Sequence, residues 1–291
     1  MKRPTLPNFF IAGAPKSGTT SLYHYLDQHP EIHMSRIKEP NYFASEIRLQ
    51  NFSEWLRPRA ENDGPTLRAY LDGPMREKRF GGMVTEWSDY LRLFRKAEGQ
   101  KAIGEASVCY LWSGSAAANI RRTLPEARII LVLRNPIEMV FSMYLHNMRS
   151  EGTRLSFREA IEKGIQQRGG AFDIFHPFLD MGLYHQQVKR VLDNFPKDQV
   201  RIYWYEEYKT KPLRMLADIF RFLEVNPLFR PDVSKRYLEA SAPRVTLEPS
   251  DRACLSEFYK EDVEKLADLL EHDLSSWCGP ARKPNRDRKE A

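Results

Sequence analysis

A chain of 291 residues, 42% hydrophobic and 29% charged, has the make-up of a globular protein with room for one large α/β domain or two smaller ones. Its formal net charge of +6 favours anionic ligands, but much of the excess lies in PARKPNRDRKEA, residues 280–291, which read as a charged, solvated tail rather than a nucleic-acid arm. No stretch approaches the roughly 20 apolar residues of a membrane span, and Cys109, Cys254 and Cys278 lack metal-ligand spacing, so a reduced, cytoplasmic enzyme without a metal is expected.

In chain order, short apolar runs alternate with amphipathic segments, the pattern of an α/β fold with a P-loop-like central parallel sheet and helices on both faces. Residues 8–14 read as the first strand. Lys2 and Arg3 precede it, but its apolar run is too short for a signal sequence. Residues 19–28 read as a helix with Leu22, Tyr25 and Leu26 on one face. Residues 45–82, rich in charge, Pro and Gly, are expected to leave the sheet as an irregular excursion, of the kind that in an α/β enzyme commonly forms a lid or one wall of the acceptor site. KAIGEA (101–106) and RIILVLR (128–134) read as central strands, followed by helices over 136–149, 156–167 and 184–195, the strand QVRIYWY (199–205) and a helix over 213–223. A Pro- and Arg-containing loop over 227–249 precedes a terminal helical hairpin with Leu255, Phe258, Tyr259, Leu266 and Leu269 as core positions. Residues 1–279 are read as one domain without internal repeats.

The chemistry concentrates in GAPKSGTTS, residues 13–21. A Walker loop reads G-x-x-x-x-G-K-[ST], its lysine reaching the β- and γ-phosphates of a triphosphate and its hydroxyl holding magnesium. Here Gly13 and Gly18 keep the spacing, Thr19 replaces that lysine, and Lys16 stands inside the loop. Backbone N–H groups at a helix N-terminus form an anion site by themselves. Lys16, Ser17, Thr19, Thr20 and Ser21 add a cation and hydroxyls to it. The frame predicts phosphate, while the displaced lysine argues against a magnesium triphosphate.

These residues resemble the sulfotransferases that use 3′-phosphoadenosine 5′-phosphosulfate (PAPS), whose 5′-phosphosulfate loop is similar to PKSGTT. VLRNPIEMVFSMY is similar to the family's 3′-phosphate element, which implies that Arg134 and Ser142 grip one phosphate from two sides. The segment from Gly182 to Val225 and the terminal YKEDVEKLADLLEHDLSSW extend the resemblance over nearly the whole chain, the 45–82 excursion excepted. KEPNYF is closer to the glycosaminoglycan-type branch than to the cytosolic phenol and steroid enzymes. The resemblance implies a soluble, bacterial-type enzyme that moves a sulfuryl group from PAPS to a hydroxyl of a sugar or small metabolite and leaves PAP, with neither metal nor membrane anchor nor nucleic-acid partner. It implies catalytic roles for Lys16, at the departing oxygen, and for Glu39, as general base. Donor binding is implied for Lys16, Ser17, Gly18, Thr19, Thr20, Ser21, Arg134, Ser142 and, in the late loop, Arg244.

The base remains open among Glu39, Glu105 at the end of KAIGEA, and a histidine such as His146 or His176. Glu105 is followed by Ala106, Ser107, Val108 and Cys109 instead of the lysine and T-P pair of the glycosaminoglycan-type enzymes, which removes an expected cation and speaks against a highly sulfated acceptor. Ser21 stands where cytosolic members often place a tryptophan near the adenine, so no stacking aromatic is identified. Two other functions are weighed. A P-loop kinase would require magnesium-ATP, against which Thr19 speaks. A non-catalytic polyanion-binding module would lean on the basic surface, yet the chain lacks aromatic-basic interleaving. The acceptor and the oligomeric state are not legible.

Overall fold

The computed structural model describes residues 5–150, 154–173, 176–235, 237 and 245–279. The charged tail expected over 280–291 lies outside the described residues, as do residues 236 and 238–244 of the late loop.

Five strands form a wholly parallel sheet in the order β2 (Ile32–Met34), β5 (Ala102–Ala106), β1 (Phe9–Gly13), β6 (Arg128–Leu133) and β7 (Val200–Trp204). Burial on both faces explains why the central strands read as unbroken apolar runs. Phe10 and Ala12 of β1, with Ile129, Leu131 and Leu133 of β6, enter one core cluster. Phe9 and Ile11, with Ile130 and Val132, enter the other. The two-residue side-chain period divides each strand between two helix layers. β1 lies at the centre, so the loops leaving β1, β5 and β6 open side by side at one edge, where ligands of open α/β sheets bind.

Helices α1 (Thr19–Leu26), α2 (Arg57–Asp72), α3 (Trp87–Arg92), α4 (Cys109–Trp112), α5 (Ala116–Thr123), α6 (Pro136–Ser150), α7 (Phe157–Gln166), α8 (Tyr184–Asn194), α9 (Tyr205–Thr210), α10 (Pro212–Phe222), α11 (Pro249–Leu270) and α12 (Ser275–Cys278) complete the fold. The capping box of α7, Ser156 with Glu159, starts that helix where expected. Asn135 starts α6: its Oδ1 accepts the Ile137 N–H at 2.9 Å, and its amide donates to Trp277 O at 3.0 Å, tying the start of α6 to the C-terminal layer.

Three features differ from the sequence expectation. The excursion over 45–82 is not irregular throughout, since it carries the 16-residue α2, whose helical signal is diluted by Gly64 and the internal Pro65. It also supplies β4 (Arg79–Phe80), which pairs in parallel with β3 (Ile37–Lys38) in a separate two-stranded sheet. The terminal hairpin is a 22-residue helix followed by the single turn of α12, with Leu255, Tyr259 and Leu266 fully buried and Phe258 and Leu269 only partly so. Among the described residues, no helix is long and apolar enough to cross a membrane.

Candidate active site

The glycine loop joins the centre of the sheet to α1. Ala14 donates to Val132 O of β6 at 2.8 Å, which anchors the loop to the neighbouring strand. Gly18 caps α1 with φ 77°, a left-handed conformation that favours glycine, and a Cβ there would lie 2.7 Å from Cε1 of Tyr208. Lys16 also lies in the left-handed region, at φ 56°. Among the hydroxyls, Ser17 is fully buried and donates to Pro15 O at 3.3 Å, Thr19 is buried and Thr20 half-buried. Ser21 faces elsewhere: its Oγ accepts the Tyr237 N–H at 3.0 Å and so pins part of the late chain against α1.

Arg134, at the carboxyl end of β6, reaches across to the loop. Its Nη1 donates to Lys16 O at 2.8 Å, and its guanidinium lies 4.7 Å from the ring centroid of Tyr205. Ser142 sits half-buried on α6, on the element that Arg134 introduces. Lys16 is half-buried amid positive charge. Burial first, then Arg134, with Arg149 and Lys38 adding, lowers its pKa to about 8 against the opposing pull of Glu39. Cations gathered this closely, with a single carboxylate among the named neighbours, fit an anionic ligand better than an empty surface.

Glu39 follows β3 in a turn where it and Asn41 both take left-handed φ values, 67° and 59°. Lys38, 2% exposed, donates to Glu39 Oε1 at 2.6 Å, while the Glu39 side chain keeps 32% exposure. The carboxylate is thus oriented by a buried ammonium yet open to a partner. Glu105, the other acidic candidate, is fully buried and accepts from the hydroxyls of Tyr90, Tyr110 and Ser107 at 2.9, 2.7 and 2.7 Å. Burial pushes it up to about 7; the three hydroxyl bonds oppose the rise and the charge of Glu39 adds to it. A carboxyl so enclosed has no path to an acceptor.

Lys16 and Arg134 are therefore brought together, with Glu39 near enough for its charge to act on Lys16, while Ser17, Gly18, Thr19 and Thr20 continue the loop. His146 lies exposed on α6, and His176 packs edge-on to Trp112 at 6.1 Å. Arg244 lies outside the described residues. Lys38 flanks Glu39 in the sequence and bonds it in the fold, whereas Tyr205 and the hydroxyl cage of Glu105 were not foreseen. These last two meet only in the folded chain.

A parallel sheet with a glycine loop after its central strand, and cations collected where β1 and β6 end, defines an α/β fold with a candidate anion site of the P-loop kind. The chain belongs to the sulfotransferase family, whose profile, the sulfotransferase domain, matches residues 6–242. Mouse carbohydrate sulfotransferase 15 is 25% identical over 319 residues, which cover 94% of this chain and 54% of that protein. The membrane-associated sulfotransferase kil1 of Dictyostelium discoideum is 24% identical over 347 residues, with 92% and 66% covered. The chain thus spans about half to two thirds of the length of these relatives. A crystal structure of a sulfotransferase from Alicyclobacillus acidocaldarius superposes with a TM-score of 0.74 and 34% identity over 94% of this chain and 99% of that one.

Proposed function

We propose that this enzyme transfers a sulfuryl group from PAPS to a hydroxyl of a sugar or small metabolite. The observation that carries the proposal is the contact of Arg134 with the glycine loop, its guanidinium bonding Lys16 O at 2.8 Å, with the Lys38-held Glu39 near enough for its charge to oppose the lowering of the Lys16 pKa. The names of the relatives, carbohydrate sulfotransferase and, in Drosophila melanogaster, bifunctional heparan sulfate N-deacetylase/N-sulfotransferase, support a sugar acceptor.

PAPS supplies the sulfuryl group and departs as PAP. In this reading the amides of residues 16–20 and the Lys16 ammonium hold the phosphosulfate, with the hydroxyls of Ser17, Thr19 and Thr20 lining the loop. Arg134 and Ser142 take the 3′-phosphate, with Tyr205 supporting the guanidinium from below and Arg244 contributing from the late loop. Ser21 serves the loop through its hold on Tyr237. Glu39 removes the acceptor proton as the acceptor oxygen bonds to sulfur. Lys16 stabilises the charge that builds on the phosphate oxygen as the bond from sulfur to that oxygen breaks. Positioning and electrostatics supply most of the acceleration.

A thermal-shift titration with PAP, against ADP and magnesium-ATP, tests donor recognition. At a hundred times its dissociation constant PAP should stabilise the fold by about 2.7 kcal/mol, and Arg134→Ala should lose most of that gain. Stabilisation by magnesium-ATP with indifference to PAP would overturn the proposal in favour of a kinase.

A further inference from the structure

We propose that Glu105 is a positioning residue for the reaction: its carboxyl orients the hydroxyls of Ser107 and Tyr110 so that they hold the chain from Glu39 to Phe43 in its working geometry. This inference rests on the Glu39 reading above.

Alternate residues of that segment are pinned by their backbone N–H groups to the end of β5 and the segment that follows it. Glu39 donates to Ala106 O at 2.8 Å, Asn41 to Ser107 Oγ at 3.2 Å and Phe43 to Tyr110 Oη at 3.3 Å. The last two acceptors are hydroxyls, each with a single proton, and both protons are given to Glu105, through Ser107 on Oε2 at 2.7 Å and Tyr110 on Oε1 at 2.7 Å. With its proton committed to Glu105, each hydroxyl presents lone pairs to the backbone N–H it receives. Without an acceptor at 105 both hydroxyls can rotate, and their protons then compete with the amides they now accept.

The clasp holds a segment that needs holding, because Glu39 occupies a left-handed conformation that is uncommon for a residue other than glycine or asparagine, and Asn41 takes one as well. The Asn41 side chain adds bonds to Glu39 O at 2.9 Å and Gly82 O at 3.1 Å, and accepts from Cys109 Sγ at 2.9 Å. Tyr90, the third donor to Glu105, stacks on Tyr42 at 4.6 Å between centroids, so the same carboxyl also steadies the ring between Asn41 and Phe43. One buried acceptor thus ties β5, α3 and α4 to the turn that carries the base.

Glu105→Gln keeps the volume but sets an amide donor against hydroxyl donors, while Ser107→Ala and Tyr110→Phe each remove one pin and leave the core filled. The test is a double-mutant cycle of these changes with Glu39→Gln. It reads PAP affinity, and PAP release from PAPS in the presence of a panel of mono- and disaccharides, with transfer to water counted among the acceptors. Amide hydrogen exchange at Asn41 and Phe43 is followed alongside. The expected result is a kcat lower by about tenfold or more in each single variant, with PAP affinity kept within about twofold, and little further loss when Glu39 is already Gln. Exchange at Asn41 or Phe43 should rise in each variant. Unchanged kcat in all three variants, or losses that simply add to that of Glu39→Gln, would overturn the inference. If Glu39→Gln itself keeps full turnover, the assignment of the base fails instead. Exchange then decides the clasp: protection of both amides unaltered by Glu105→Gln and by Ser107→Ala or Tyr110→Phe would remove Glu105 from its role.

Discussion

Replacing Lys16 by methionine should stabilise the ligand-free protein at neutral pH, although it removes a residue assigned to catalysis. Methionine keeps the unbranched chain and the same left-handed backbone demand, so the main change is the ammonium. The folded state lowers the Lys16 pKa from 10.5 to about 8, mainly through burial and the charge of Arg134. At about 1.36 kcal/mol per pH unit, and with allowance for residual solvent, the charged form costs on the order of 2–3 kcal/mol. Below pH 8 both the folded and the unfolded chain carry the proton, and the folded state bears this cost in full. Between about 8 and 10.5 the unfolded chain binds more protons, so wild-type stability rises with pH relative to the variant, and the cost is gone above 10.5. Urea unfolding of both proteins at pH 7 and near pH 10, in buffers free of phosphate and sulfate, measures the gap. The variant should be the more stable at pH 7 and lose most of its advantage near pH 10. A variant less stable than wild type at pH 7, or a gap indifferent to pH, would refute the view that burial and Arg134 oppose the charge of Lys16.

The same ionisation should appear in turnover: kcat/KM for PAPS should fall as pH rises through about 8 in the free enzyme, because the protonated form of Lys16 is the one that meets the anion, and Lys16→Arg should flatten that limb. Gly18→Ala should cost about 1–3 kcal/mol of stability, since it combines φ 77° with a Cβ 2.7 Å from Tyr208 and 3.2 Å from Tyr205. It should also weaken PAP binding, because Tyr205 lies beneath Arg134; a variant with wild-type melting temperature and PAP affinity would contradict this.

The strand, glycine loop and helix of residues 8–26 were legible in the sequence because their requirements are local. A strand, two glycines at fixed spacing, a cation and a run of hydroxyls all fall within residues 8–21. Arg134 was legible as well, since an apolar strand that ends in arginine and is followed by Asn-Pro marks both a strand end and a helix start. What stayed hidden depends on long-range contacts. Tyr90, Tyr110 and Asn41 are far apart in sequence and meet only because β5, α3 and α4 converge on the turn after β3. β2, β3 and β4, of three and two residues, are too short to show a period. That Lys38 is buried beside Glu39 is likewise set by packing.

The measurement that tests the central claim most directly is transfer of labelled sulfate from PAPS to a panel of sugar hydroxyls by wild type and by Glu39→Gln, with PAP affinity measured on the same samples. Wild-type transfer that falls by about a hundredfold or more in the variant, at unchanged PAP affinity, is the predicted result. A Glu39→Gln enzyme that transfers sulfate at the wild-type rate would contradict it.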